Sequence, residues 1–347
     1  MKRILVLIVV VAGVIIIELM NATPADWAKV RAIEQYVYTG QLKGVTMAQL
    51  KSEKELQIAS NRFRDDDMVR LRVMPMLEKL TIDGNSFSGT GFAHVRLIHL
   101  RELRLGGTPI TDAGLKSIGQ IKTLEKLDLA ETKITDAGVA DLVGLSRLKD
   151  LSLIDTAVTD ACMTSIMQMK NLEILQLSST QVTDKGVQQL AQHQRLRKLS
   201  LYGTRVTDES IGYVVQIPNL ENVVFSGTKI RGSGLGRLGQ AKKLRELVLA
   251  DTSVDDDDLI ELLQPPMELD MLHLGHLKIT GKTMEAIARC NCVKDLYVGY
   301  TKIGNDDLLK LIPATRLKSI TVTKTRVTDE GYIPFHKARP DVIVTSL

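Results

Sequence analysis

Residues 124–147, LEKLDLAETKITDAGVADLVGLSR, decide the fold. Leu124, Leu127 and Leu129 set up L-x-x-L-x-L, in which alternate side chains of an extended segment fall on one buried face. Thr132 stands five residues after Leu127, where the chain must turn, and Ile134 re-enters the core. Thr135 and Asp136 then form a helix start. A Thr at the N-cap accepts from free N–H groups, and an acid in the first turn meets the positive end of the helix dipole. Gly138, Val139, Leu142 and Leu145 continue as a helix of two or three turns with an apolar side facing inward. One strand, one tight turn and one short helix therefore occupy 24 residues.

The same unit recurs along the chain. Leu103, Leu127, Leu151, Leu175, Leu199, Val223 and Leu247 are each 24 residues apart, and Leu272, Leu296 and Ile320 continue the series after one 25-residue step. Backwards it reaches Leu80 and Leu56, making about twelve repeats with a stub near Val342 and Val344. The Thr132 slot holds Thr108, Thr156, Thr180, Thr204, Thr228, Thr252, Thr301 and Thr325, with Asn61 and Asn85 in the first two units and Leu277 in one other. Such a column predicts side chains that bond the adjacent coil, because a turn inside a stack leaves backbone groups needing partners. Thr-Asp starts recur at Thr111, Thr159, Thr183, Thr207 and Thr328. No unit can bury its apolar face alone, so the units must stack.

This pattern resembles that of leucine-rich-repeat proteins. Thr in the Asn/Cys slot followed by I/V-T-D-x-G is similar to repeats of large bacterial surface and secreted proteins, and to the cysteine-containing repeats of eukaryotic F-box receptors. The resemblance implies an α/β fold: a right-handed solenoid with a parallel sheet on the concave face and short helices on the convex face. For function it implies protein recognition. An F-box needs a longer helical domain than residues 23–52 provide.

Composition agrees. Of 347 residues, 44% are apolar and only 4% aromatic, which demands an aliphatic core. Forty-five basic and 41 acidic side chains nearly cancel, and no block of five bases occurs, so nucleic acid is not an expected partner. Lys2 and Arg3 precede an uncharged apolar run over residues 4–17, which fits a signal peptide or an N-terminal membrane anchor spanning residues 1–22. Either places the repeats outside the cytoplasm, and an anchor adds a membrane contact. Residues 23–52 are expected to form a helical cap or linker, with helices over 26–38 and 46–53. Residues 53–347 form the repeat domain, expected to be a monomer.

Several motifs invite other chemistry. Gly234, Gly236 and Gly239 spell G-x-G-x-x-G, but Leu235 and Leu238 fall in the core slots of Val139 and Leu142, so no nucleotide site is expected. Asp65 to Asp67 and Asp255 to Asp258 lack the alternation of a calcium loop and occupy the helix-start slot. His273 and His276 with Cys290 and Cys292 have zinc-ligand chemistry, yet the histidines belong to the sheet side and Cys290 takes the buried slot of Leu145, at the far end of a helix. His193 takes the same slot as a core residue, and Cys162 the small slot of Gly138. No catalytic motif is present. The expectation is a protein without metal, cofactor or enzymatic activity.

The outward strand positions change character along the chain. Early units present Glu102, Arg104, Lys126, Asp128 and Asp150. Later ones present Tyr202, Val224, Val248, Met271, His273, Tyr297 and Tyr300, an apolar and aromatic set suited to contacting a partner protein. Units from Val223 to Asp295 also lose the Thr-Asp cap at Arg231, lose its Asp at Gly281, and gain one residue near Pro265. The leading expectation is an interaction scaffold or receptor-like binder. A structural or self-assembling envelope protein, and a recognition adaptor of a larger complex, are the alternatives.

Overall fold

The computed structural model describes residues 9–11, 14–16, 46–59, 63–84, 86–264 and 267–345. The expected helix over 26–38, Asn61, Asn85 and the insertion at Pro265 lie outside these residues. Within the N-terminal apolar run, β1 (Val9–Val11) and β2 (Val14–Ile16) pair antiparallel. This part of the run is extended. Its Val and Ile are β-branched, which favours extended backbone over helix. No described helix is long and apolar enough to cross a membrane.

The chain divides into two compact units, residues 1–172 and 173–347. In the first, helix Met47–Ser52 opens with Thr46 and Gln49 in a reciprocal capping box. Five parallel strands follow: β3 (Glu55–Ala59), β4 (Lys79–Asp83), β5 (Glu102–Arg104), β6 (Lys126–Asp128) and β7 (Asp150–Ser152). Leu56, Leu80, Leu103, Leu127 and Leu151 are paired in register and fully or almost fully buried. The first coils carry the aromatic part of this core, with Phe87 packed on both Phe63 and Phe92.

The second unit holds eight parallel strands: β8 (Ile174–Gln176), β9 (Lys198–Ser200), β10 (Asn222–Val224), β11 (Glu246–Val248), β12 (Leu269–His273), β13 (Val293–Tyr297), β14 (Ser319–Thr321) and β15 (Ile343–Thr345). Each pairs with the next, and the buried column runs from Leu175 to Ile320, with half-buried Val344 at its end. After the last long helix, Asp329–Ala338, Arg339 replaces an apolar plug. Its guanidinium donates to the carbonyls of Ala314 (2.6 Å) and Leu317 (3.0 Å) and to the Asp341 carboxylate.

Backbone bonds at the turns and a column of helix-start acids hold consecutive coils in place. The Thr column does not bond the adjacent coil as the spacing led one to expect. Each hydroxyl donates three residues back within its own turn, as Thr132 does to Leu129 O (2.6 Å) and Thr204 to Leu201 O (2.7 Å). The neighbouring coil is reached by backbone instead: Glu131 N donates to Ile154 O, and Gly203 N to Ser226 O. That geometry requires positive φ one residue before each Thr, and the slot contains Gly107, Glu131, Asp155, Ser179, Gly203, Gly227, Asp251, His276, Tyr300 and Lys324.

The helix-start acids do more than meet a dipole. Asp136 accepts from the N–H (2.8 Å) and hydroxyl (2.7 Å) of Thr159 in the following coil. Asp112 does the same for Thr135, and Asp184 for Thr207. Asp256 holds four donors, from Thr280 and Thr283. This ladder explains the Gly of T-D-x-G, since a Cβ at Gly138 would lie 2.3 Å from Asp112 Oδ1. Ser210 and Thr283 fill the slot by donating to the carboxylate. Cys162 fills it fully buried, and burial pushes its thiol up to about 12.

Replacing Asp256 with Ala removes four inter-coil bonds and is expected to lower unfolding free energy by about 2–3 kcal/mol. Asp257→Ala, on the same helix but exposed, should stay within ~0.5 kcal/mol. Urea midpoints of the two variants check this.

Burial pushes the Asp65 and Asp256 carboxyls up, but hydrogen bonds from Gly91 and Ser88, and from Thr283 and Thr280, outweigh it and hold both below the ordinary range. A folded-state value below the unfolded one contributes stability above the unfolded value of ~3.9 and loses it as pH falls through the folded one. The urea midpoint should therefore fall on acidification below about pH 4, and fall less in Asp256→Asn.

Candidate protein-recognition face

On each strand the two residues flanking the buried Leu point out of the sheet. In the first unit six of these ten positions are ion-paired, Lys79 with Glu55 (2.8 Å), Arg104 with Glu102 (2.6 Å) and Lys126 with Asp150 (2.9 Å), and the other four, Gln57, Thr81, Asp128 and Ser152, are polar. Adjacent positions extend the pairing, with Lys54 to Glu78 and Lys149 to Glu125. Opposite charges on neighbouring strands stabilise one another and leave no apolar surface.

In the second unit the row following the buried Leu reads Ser200, Val224, Val248, His273, Tyr297, Thr321 and Thr345, each directly opposite the next. Val224, Val248 and His273 are half-buried and Tyr297 is 37% exposed. The structure thus brings four of the seven sequence-derived residues into one contiguous row. Met271 stands in the row before the Leu, between Glu246 and Asp295. Tyr202 (48% exposed) lies in the turn after β9, its ring against Gly227. Tyr300 (55% exposed) lies in the turn after β13.

Two ring pairs cross consecutive coils. His273 stacks on Tyr297 (5.3 Å between centroids) and His276 on Tyr300 (4.4 Å). Between them sit Gly275 and Gly299, both buried; a Cβ at Gly275 would come 2.8 Å from the His273 ring. Burial pushes the His273 imidazole below its ordinary value, favouring the neutral ring, and Gly275 N–H is directed at its Nδ1 (3.4 Å). His276 Nδ1 lies 3.7 Å from Asp251 Oδ1. His276 belongs to the face although its position, on the turn, was weighed only for metal chemistry. Its place in the Tyr300 column is the signal for it.

The other motifs have structural partners. Asp208 accepts from the N–H groups of Arg231 (2.9 Å) and Gly232 (3.1 Å), so the loop before Gly234 already holds a carboxylate. Gly234 has positive φ and opens a 3-10 helix, Leu235–Gln240, with Leu235 and Leu238 fully buried. Asp255 caps helix Asp256–Leu262 reciprocally with Asp258. Cys290 and Cys292 are joined in a disulfide, which corrects the reading of Cys290 as a buried core slot: Cys290 is half-buried and Cys292 takes the interior. His193 is buried, with Arg195 N–H directed at its Nδ1 (3.4 Å). Among the described residues no cluster of His, Cys, Asp and Glu could hold a metal.

Stacked strand–turn–helix coils with an outward row of side chains define a repeat solenoid. Residues 96–119, 120–143 and 168–191 match the model of a leucine-rich repeat family. The fold is that of a leucine-rich-repeat solenoid. No curated protein sequence gives a significant match. Among solved structures it is similar to an internalin, InlF, of Listeria monocytogenes (TM-score 0.63, 18% identity, 92% of this chain and 94% of that one). A leucine-rich-repeat protein of Leptospira interrogans gives TM-score 0.55 at 17% identity over 86% and 74%. Internalin InlC2 of Listeria monocytogenes gives 0.50 at 26% over 66% and 97%. These likenesses concern the fold.

The His273 ring should titrate below the ~6.5 of a free histidine. Asp251→Asn should lower it further, because the Asp251 charge opposes the effect of burial. Following the imidazole resonances of His273 against pH by NMR measures both.

Proposed function

We propose that this protein is a non-enzymatic binding scaffold, with a partner protein resting on the outward face of β9–β13. The contacting residues are Tyr202, Val224, Val248, Met271, His273, Tyr297 and Tyr300. The observation that carries the reading is the contrast between units: the outward positions of the first are polar throughout and six of them are ion-paired, while the second carries valines and stacked rings there. Exposed rings of limited freedom supply contact area at low entropic cost. Lys2, Arg3 and the apolar run over 4–17 support export or anchoring, with this face outside the cytoplasm.

Strain adds support. His276 and Tyr300 occupy the positive-φ column where Gly203 and Gly227 stand two to four coils earlier, at φ of 60° and 59°. A non-glycine residue there costs about 1–2 kcal/mol. Strain retained under an exposed ring points to use of that ring.

Association of copies through β15 is the second reading. Among the described residues β15 pairs only with β14, and Ile343 on it is 68% exposed. Sedimentation of residues 23–347 separates the two readings: a monomer independent of concentration argues against association.

The direct test combines Tyr202→Ala, Tyr297→Ala and Tyr300→Gly. Photo-crosslinking in native membranes, from a probe at Val224, should lose the native partner at least tenfold, by the usual weight of aromatic anchors. Tyr300→Gly alone should leave the urea midpoint unchanged or raised, because glycine relieves the positive φ. Undiminished crosslinking in the folded triple variant refutes the proposed face.

A further inference from the structure

Six residues after each buried strand position from Leu199 to Ile320, on the edge of the coils beside the turn column, the chain carries Arg205, Lys229, Ser253, Lys278, Lys302 and Arg326. All six are exposed. Among the described residues none of these cations lies within ion-pair distance of a carboxylate, and Lys324 in the turn column is equally free. Four other cations of the unit are held in ion pairs between coils or along a helix: Arg197 with Glu173 and Glu221, Arg316 with Glu268 and Asp270, Lys310 with Glu285 and Asp307, Lys318 with Asp341. The row is also held in place, because Arg205, Lys229, Ser253 and Arg326 each donate their backbone N–H to the preceding coil.

The row is interrupted in one coil. There Ser253 replaces the cation, and exposed Asp251 and Asp255 stand on either side of it. Positive charge is therefore divided into Arg205, Lys229 and Arg231 at one end and Lys278, Lys302, Lys324 and Arg326 at the other. With strands about 4.8 Å apart, each cluster spans two or three coils and the gap one.

We infer that this edge docks an acidic segment of a partner protein, carrying two groups of carboxylates separated by neutral or basic residues that face Asp251, Ser253 and Asp255. A phosphodiester strand fits less well. Its charge is continuous and would meet Asp251 and Asp255 in the middle of its path. The neighbouring outward row is aliphatic at Val224 and Val248, and the two ring pairs already stack on each other, whereas single strands use open aromatic faces. Exposed unpaired cations accelerate encounter and select partners by complementarity. The inference rests on the recognition face proposed above and names the charge of what that face receives.

The test uses two synthetic peptides on the full chain. One carries three glutamates, a Ser-Gly-Ser spacer with one lysine, and three glutamates; the other has glutamine for every glutamate. An oligothymidylate of six phosphates serves as the nucleic-acid arm. The gapped acidic peptide should bind in fluorescence anisotropy, weaken as salt shortens the Debye length, and weaken at least ~10-fold in Lys278→Glu/Lys302→Glu/Lys324→Glu/Arg326→Glu. The milder set with Gln at the same four positions should lie between. All four residues are exposed, and circular dichroism verifies the fold. Equal binding of acidic and neutral peptides, or no loss in the reversed variant, overturns the inference. Oligothymidylate binding as tight as the peptide's overturns the assignment to protein. Because Tyr202, Tyr297 and Tyr300 are intact here, failure of the peptide leaves the aromatic face standing. Failure of the aromatic variant in crosslinking leaves the peptide result standing.

Discussion

No coil of this protein can satisfy its own backbone, and every other feature follows from that. The turns carry N–H groups aimed along the stack, and these find carbonyls in the neighbouring coils, as Glu131 N finds Ile154 O in the next and Lys133 N finds Ile110 O in the preceding one. A buried backbone donor left without an acceptor costs about as much as a lost hydrogen bond, so the coils must register to the residue. The Asp–Thr ladder reinforces this at the helix end of the coil. Asp136 accepts both donors of Thr159, and Asp256 accepts four. Where the acid is displaced from that role the helix changes too: past Arg231 and Gly232 the chain forms a 3-10 turn opened by Gly234.

Given that frame, side chains that neither face the core nor bridge coils are free to vary. The two units use this freedom differently. Lys79, Arg104 and Lys126 in the first are matched by acids, which keeps the sheet face polar and closed to apolar contact. In the second, valine, histidine and tyrosine share a row, and cations on the turn edge are left unmatched. Neither choice alters the backbone registration within a unit, so stacks of the same kind can carry different surfaces. The columns that bond coil to coil fix structure, and the columns between them carry recognition.

Much of this was legible in the sequence because the repeat is so regular. Leucine spacing gives the strands and their register, and Thr-Asp gives the helix starts. The outward row of Val224, Val248, His273 and Tyr297 follows from parity alone. What spacing could not show was the direction of a hydrogen bond. Thr132 and Asp136 are both short polar residues at a turn or helix start, and either could have bridged coils. The hydroxyl of Thr132 folds back on Leu129, and the carboxylate of Asp136 makes the bridge. The positive-φ column was equally hidden, since Glu, Asp, Ser, His, Tyr and Lys stand there beside glycine. The Cys290–Cys292 disulfide escaped because period arithmetic assigned Cys290 to the core, whereas Cys292 takes that place.

The positive-φ column also bears on how the recognition face arose. A glycine there satisfies the fold at least strain, and Gly107, Gly203 and Gly227 show that the chain uses it. Asp251, His276, Tyr300 and Lys324 give up that advantage in four successive coils. Local bonding offers compensation only in part: Asp251 approaches His276, and His276 stacks on Tyr300, but these contacts are exposed and weak. Lys324 has not even that. Glu131, Asp155 and Ser179 depart from glycine as well, so the turn tolerates that backbone throughout, and what sets the later coils apart is that two of the departures, His276 and Tyr300, are exposed stacked rings.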